Sequence, residues 1–180
     1  MKTDNNFVRS GRERIEDDNY QTVDPRCVQA LLETLTRFQG FADDDSFVDC
    51  CAPSGSGIVT ELCKRGLDAV GVDDAFGDFS ANWIVSNPPY KRNVVDSIIF
   101  RQLERLSVPN VIGVAMLLRT QFDHAKTRYN MFAGHPFYAG QIKMTFRPIW
   151  FAEGESTPIH NYVWQIWVKD WNRPPIVQYW

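Results

Sequence analysis

Apolar positions along the chain first recur at helical spacing. Val28, Leu31, Leu32, Leu35 and Phe38 follow Asp24 as N-cap and Pro25 in the first turn, and Gly40 closes the run. Asp43-Asp44-Asp45 reads as a turn, and Ser46-Phe47-Val48-Asp49-Cys50-Cys51 as a short buried strand entering Ala52-Pro53-Ser54-Gly55-Ser56-Gly57. A second helix is expected from Ile58 to about Arg65, stopped by Gly66. Ala69-Val70-Gly71-Val72 predicts a second strand ending at Asp73-Asp74, and Trp83-Ile84-Val85-Ser86 a third ending at Asn87-Pro88-Pro89-Tyr90. Val94, Val95, Ile98, Ile99, Leu103 and Leu106 return to helical spacing, and residues 111–118 are near-continuously apolar, as in a parallel strand covered on both faces.

Strands alternating with helices predict an open α/β sheet whose ligand lies at the carboxyl ends of the strands. From Gln141 the period shortens. Ile142, Met144 and Phe146, then Tyr162, Trp164 and Ile166, then Ile176–Trp180 suggest antiparallel strands. Residues 1–19 are polar and charged without periodicity and read as an arm ahead of one catalytic domain spanning 20–180. There is no internal repeat and no low-complexity linker.

Composition narrows this picture. With 180 residues, 44% hydrophobic and six Trp, the chain can build one core, which excludes disordered and fibrous classes. No apolar run reaches the ~18–20 residues of a membrane span. No apolar signal-peptide stretch follows Met1-Lys2-Thr3-Asp4-Asn5-Asn6, so a cytoplasmic location is expected. The four Cys, at 27, 50, 51 and 63, match neither a metal finger nor a disulfide framework and are expected to be buried free thiols. Charge is uneven. Residues 1–49 hold 6 Lys/Arg against 11 Asp/Glu, a net of −5, whereas residues 117–150 hold 5 against 1, a net of +4. A nucleic-acid surface belongs in the second stretch, although solvated surface would produce the same imbalance.

A strand, a Gly-rich turn and a helix, followed by an acid at the end of the next strand, suit a ribose-bearing cofactor. Asp49, Gly55, Gly57 and Asp73 occupy those places. Position 60 is Thr, so the dinucleotide fingerprint is incomplete, and Gly55-Ser56-Gly57 alone also fits a tight turn. A carboxylate at Asp49 would oppose a pyrophosphate but suits a cationic amine, which favours S-adenosylmethionine over a dinucleotide. Gly77-Asp78-Phe79 can offer a carboxylate to an adenine amino group and a ring to stack on the base, or can be a simple turn.

Asn87-Pro88-Pro89-Tyr90 carries the most specific chemistry. The two prolines fix φ near −65° and remove two donors, leaving a stiff turn that presents acceptors. The Asn87 amide oxygen and the Pro88 carbonyl can each accept a hydrogen from one planar amino group, localising its lone pair. Tyr90 supplies a stacking face. Direct displacement of a sulfonium methyl then needs positioning and electrostatics, with no metal, covalent intermediate or strong base.

With these motifs in this order, the chain resembles S-adenosylmethionine-dependent DNA adenine N6-methyltransferases, above all small phage or prophage-like members, over roughly residues 18–180. The resemblance implies a Rossmann-like class I methyltransferase fold with a mostly parallel seven-stranded sheet. It implies cofactor contacts from Tyr20, Thr22, Asp49, Cys51, Ala52, Gly55, Gly57, Asp73, Asp78, Phe79 and Asn87, and a catalytic motif of Asn87, Pro88, Pro89 and Tyr90. Val114–Arg119, His160 and Trp164 also resemble these members. Pro53 stands where the family loop commonly has glycine.

The implied partner is DNA, either a duplex with a flipped adenine or a single strand. Tyr90 would stack on the base, while Lys91, Arg92, Arg119, Lys126, Arg128, Lys143 and Arg147 are candidates for flanking phosphates. His124, His135 and His160 share no metal-ligand spacing. Alternative acceptors are a protein glutamine, an RNA base or cytosine N4, and a non-catalytic cofactor-binding module is a further reading. The catalytic sheet uses nearly all of the chain, so no separate target-recognition domain is expected within it.

Overall fold

The computed structural model describes residues 22, 24–52, 55–91, 93–150 and 160–180. The arm at 1–19, Tyr20, Pro53 and Arg92 lie outside the described residues. The elements are α1 (Pro25–Leu35), β1 (Ser46–Asp49), α2 (Gly57–Lys64), β2 (Asp68–Gly71), β3 (Trp83–Ser86), α3 (Val94–Glu104), β4 (Gly113–Arg119), β5 (Tyr138–Lys143), β6 (Tyr162–Val168) and β7 (Ile176–Tyr179). Short 3-10 turns cover Arg105–Ser107, Phe122–His124 and Lys126–Met131.

One seven-stranded sheet runs in the order β2-β1-β3-β4-β6-β5-β7. The alternation within each strand divides its side chains between two cores. Phe47, Trp83, Val85, Ala115, Leu117, Ile142 and Trp164 pack toward α1 and α2. Val48, Ile84, Val114, Met116, Leu118 and Trp167 pack toward α3 and the 3-10 turns. Both faces are therefore covered, which accounts for the unbroken apolar run in β4. Gly113 lies opposite Trp83 in the β3–β4 register, and a side chain there would collide with the indole. The Trp164 indole N–H donates to the Cys27 carbonyl at 2.8 Å, fixing α1 over β6.

The sequence-based expectations need three corrections. Only β6 runs antiparallel, because β7 pairs parallel with β5. The chain leaves β6 through Trp171 and Arg173, which pack on Phe38 and its carbonyl, and then returns outside β5 in the direction of β5. Strand β5 also starts at Tyr138, ahead of Gln141, with a register shift between Tyr138 and Gly140. The thiols are free but not uniformly buried: Cys27 and Cys50 are enclosed, Cys51 is half-buried and Cys63 is exposed. Cys63 falls on the outer side of α2, whose buried residues are Ile58, Glu61 and Leu62. Among the described residues, no helix is long and apolar enough to cross a membrane.

Candidate functional site

Strands β2 and β3 pair with β1 on opposite sides, so chain order reverses at β1 and a crevice opens at its carboxyl end. Asp49, the last residue of β1, is 4% exposed at this point. Its carboxylate accepts from the Ser86 hydroxyl at 2.6 Å, the Ser56 hydroxyl at 2.7 Å and the Cys51 N–H at 3.2 Å. Ser56 is also the N-cap of α2 and accepts from the Val59 N–H at 3.4 Å. One buried carboxylate thus ties together the ends of β1 and β3 and the start of α2. Burial pushes its pKa up, and the bonds from Ser86, Ser56 and Cys51 only partly counter this. Three of the roughly four acceptor positions of the carboxylate are filled from within the chain, leaving one for a cationic amine.

The chain leaving β1 at Ala52 approaches β2 closely. Ala52 is buried and donates its N–H to the Val72 carbonyl at 3.0 Å, and a side chain at Gly71 would come within 2.8 Å of the Ala52 methyl. Gly55 has φ +93°, in the left-handed region that favours glycine, and Gly57 opens α2.

Asn87 is buried directly beyond β3, with Pro88 also buried and Pro89 and Tyr90 half-buried. The Tyr90 hydroxyl lies 2.6 Å from the Leu117 carbonyl of β4 and 3.1 Å from Asn87 Oδ1, and its proton is shared between these acceptors. An amide oxygen has two lone pairs, so the Tyr90 bond occupies at most one acceptor position of Asn87 Oδ1. The Tyr90 ring meets Tyr162 edge-on at 5.9 Å, and the Arg119 guanidinium stands 5.2 Å over it. The stacking face expected of Tyr90 is therefore shared with Arg119. Burial and Tyr162 hold the Tyr90 hydroxyl well above its ordinary pKa, with Arg119 acting in the opposite sense. It stays protonated and braces the motif rather than acting as a base.

The structure separates the two acids after β2. Asp74 Oδ1 accepts from the Phe76 and Gly77 N–H groups at 3.0 and 2.9 Å and closes the turn. Asp73 is exposed, with no such bond among the described residues. Asp78 is exposed and faces Arg101 at 3.8 Å. Phe79 is half-buried, and the Arg105 guanidinium lies 3.8 Å over its ring. Arg105 also donates to the Phe79 carbonyl at 3.1 Å and to the Gly77 carbonyl, while buried Gln102 donates to the Ala75 carbonyl at 2.6 Å.

Sequence reasoning missed this clamp and the serines that hold Asp49. The available signal was polarity in the wrong place: Gln102 and Arg105 alternate with Leu103 and Leu106 on a helix end that turns inward.

Thr22 is buried and its hydroxyl has no hydrogen-bond partner among the described residues. Lys91 is exposed, and its carbonyl accepts from Val94 and Val95 at the start of α3. Arg128 is committed to Asp96 at 2.9 Å and to the Phe122 carbonyl and ring, which removes it from the phosphate candidates. Lys126 is exposed on the same 3-10 turn. His124 pairs with Asp123, while burial lowers the pKa of His135, and burial with Arg119 nearby lowers that of His160. Among the described residues, no three His, Cys, Asp or Glu side chains gather as a metal set.

The crystal structure of a "putative class I S-adenosylmethionine-dependent methyltransferase" from Listeria monocytogenes superposes with a TM-score of 0.62 at 11% identity, over 93% of this chain and 67% of that one. The fold is the class I methyltransferase fold. A mutant of Spodoptera frugiperda DNMT2 is a more distant match, with a TM-score of 0.44 and 11% identity over 89% of this chain and 53% of that one. The chain spans about two thirds of the first structure and half of the second. No protein-family model and no curated protein sequence matches. In the class I methyltransferase frame, Asp49, Asp73 and Asn87 occupy the carboxyl edge on both sides of the switch point.

Proposed function

We propose that the chain is an S-adenosylmethionine-dependent methyltransferase acting on an exocyclic amine, adenine N6 in DNA. The observation that carries this reading is the position of Asn87-Pro88-Pro89-Tyr90: it follows β3 at the switch point, with Asn87 beside the Ser86–Asp49 bond. The residues present fit the cofactor. Asp73 is available to the ribose hydroxyls, Gly55 leaves open space where a side chain would stand, and Thr22 holds a buried hydroxyl without a partner among the described residues. Arg105 occupies one face of Phe79, so adenine would use the ring's other face or edge.

When bound, the cofactor supplies an electrophilic methyl group on a sulfonium. The chain's own contribution is orientation. Asn87 Oδ1 and the Pro88 carbonyl accept the two hydrogens of the amino group and turn its lone pair toward the methyl. Tyr90, fixed by Leu117, keeps Asn87 in place. The product amine then releases a proton to solvent, so no side chain with a pKa near neutrality is required.

Purified protein incubated with tritiated S-adenosylmethionine and separate DNA, RNA and protein acceptors tests the reading. Label in adenine N6 of DNA supports it. Label confined to RNA, protein or cytosine overturns the assignment to adenine in DNA. Calorimetry with no heat for the cofactor or its demethylated product overturns the methyltransferase reading and favours a module without transfer activity.

A further inference from the structure

Beyond Asn87, the carboxyl edge of the sheet continues into a cleft of about 430 Å³ at the ends of β5 and β7. Lys143, Thr145, Arg147, Asn161, Tyr162 and Tyr179 contribute to its lining, which among the described residues includes two cations and no carboxylate. The same edge is acidic on its other half, where Asp49, Asp73, Asp74 and Asp78 lie. An anionic chain entering the site would therefore be repelled from the β1–β2 side and drawn toward β5 and β7.

Lys143 and Tyr179 are register partners across the β5–β7 pair, and the Lys143 ammonium stands 5.8 Å from the centre of the Tyr179 ring. The backbone beneath them is fixed by bonds from Trp180 N–H to the Lys143 carbonyl at 3.0 Å and from Thr145 N–H to the Trp180 carbonyl at 2.8 Å. Tyr179 is nonetheless 68% exposed. Arg147 is oriented by its Nε–H bond to Asn161 Oδ1 at 3.1 Å. A rigidly mounted, exposed aromatic beside cations is the combination that holds unpaired nucleotides: the ring takes a base and the cations a phosphate.

Distance separates this cleft from the reacting group. Strands β3 and β7 are four places apart in the sheet, which at the usual inter-strand spacing is ~19 Å. A base held at Tyr179 therefore belongs a few nucleotides along the strand from the base at Asn87. We propose that this cleft binds a nucleotide of the same single strand a few positions from the methylated one, with Lys143 on its phosphate and Tyr179 stacked on its base. The proposal rests on the nucleic-acid reading above.

Fluorescence anisotropy with a labelled thymidine homopolymer tests it, because this probe has a backbone and stackable bases but no adenine to methylate. The full chain is expected to bind the probe more tightly than a duplex of equal length. Tyr179→Ala should weaken binding about fivefold or more, and Tyr179→Trp should restore it. Lys143→Gln should weaken binding and reduce the slope against log salt by ~0.7. Unchanged binding in both Tyr179→Ala and Lys143→Gln, with unchanged thermal unfolding, overturns the subsite, as does a wild-type chain that ignores the homopolymer. Homopolymer binding that depends on Tyr179 and Lys143 without methyl transfer to any acceptor would retain the subsite and overturn the proposed activity. Transfer to adenine with homopolymer binding insensitive to both residues would do the reverse.

Discussion

Ser86 donates its hydroxyl hydrogen to Asp49 at 2.6 Å, joining the ends of β1 and β3 at the point where the chain order of the sheet reverses. The carboxylate is buried and its pKa is raised, so folding favours binding of its proton relative to the unfolded chain. The associated stability is present at acid pH and is lost as pH rises through the folded pKa. Ser86→Ala removes a bond that stabilises the charged form and should cost ~1–3 kcal/mol at neutral pH. The gap to the wild type should narrow toward acid. Urea unfolding across the native pH range measures it, and a gap independent of pH would show that the loss is one of packing.

Asn87→Ala should abolish methyl transfer while calorimetric cofactor affinity stays nearly unchanged, since its acceptor oxygen is assigned to the substrate amine. Tyr90→Phe keeps a ring but removes the bonds to Leu117 and Asn87. It should lower kcat by about tenfold, equivalent to ~1.4 kcal/mol, with little change in cofactor affinity. Full activity in Asn87→Ala would remove that residue from the mechanism.

Much of this site was legible because strand ends carry their chemistry in sequence order. Asp49, Asp73 and Asn87 each follow a short apolar run, and β-periodicity alone places them on one edge. The direction of β7 was not legible, because four residues at Ile176–Tyr179 hold no local record of which neighbour they will meet. Arg105 was hidden for another reason. A charged residue after a helix reads as solvated, and only the three-dimensional return of Gly77 and Phe79 shows its donors to be committed to that turn. Tyr20, Pro53 and Arg92 lie outside the described residues, so their expected contacts rest on the sequence.

The division of labour after β2 gives a paired test. Asp73→Ala should weaken the cofactor by ~1.5–3 kcal/mol, roughly 10- to 150-fold, through loss of a charged acceptor from the ribose. Asp74→Ala should act on the turn, because its carboxylate is already held by the Phe76 and Gly77 N–H groups. Hydrogen exchange should therefore rise at residues 76–77 in Asp74→Ala and remain unchanged there in Asp73→Ala. Equal affinities in Asp73→Ala and the wild type would move the ribose contact elsewhere.

Arg105 positions the cofactor side of the edge without being assigned a ligand contact. Arg105→Ala removes the stack on Phe79 and the bonds to the Gly77 and Phe79 carbonyls. Exchange should accelerate at residues 77–80, and cofactor affinity should fall about tenfold with kcat at saturating cofactor preserved. Arg105→Lys keeps a charge but loses the planar fork and should recover only part of the affinity.

Asp24 supplies the opposite pH dependence from Asp49. Burial alone would raise its pKa, but bonds from the Arg26 side chain, the Ile149 N–H and the Arg26 N–H outweigh that and lower it. Its contribution is therefore complete above the unfolded pKa and is lost as pH falls through the folded one. The carboxylate caps α1 and also reaches residue 149, accepting from Arg26 N–H and Ile149 N–H, both at 3.1 Å. Asp24→Ala should cost ~1–2 kcal/mol at neutral pH, the upper part of the range for a lost cap, because Ile149 loses its acceptor as well. The deficit should shrink under acid conditions. Asp24→Asn keeps one oxygen for the Arg26 N–H cap but turns an NH2 group toward Ile149 N–H or the Arg26 guanidinium, so it should recover only part of the stability while removing the pH dependence.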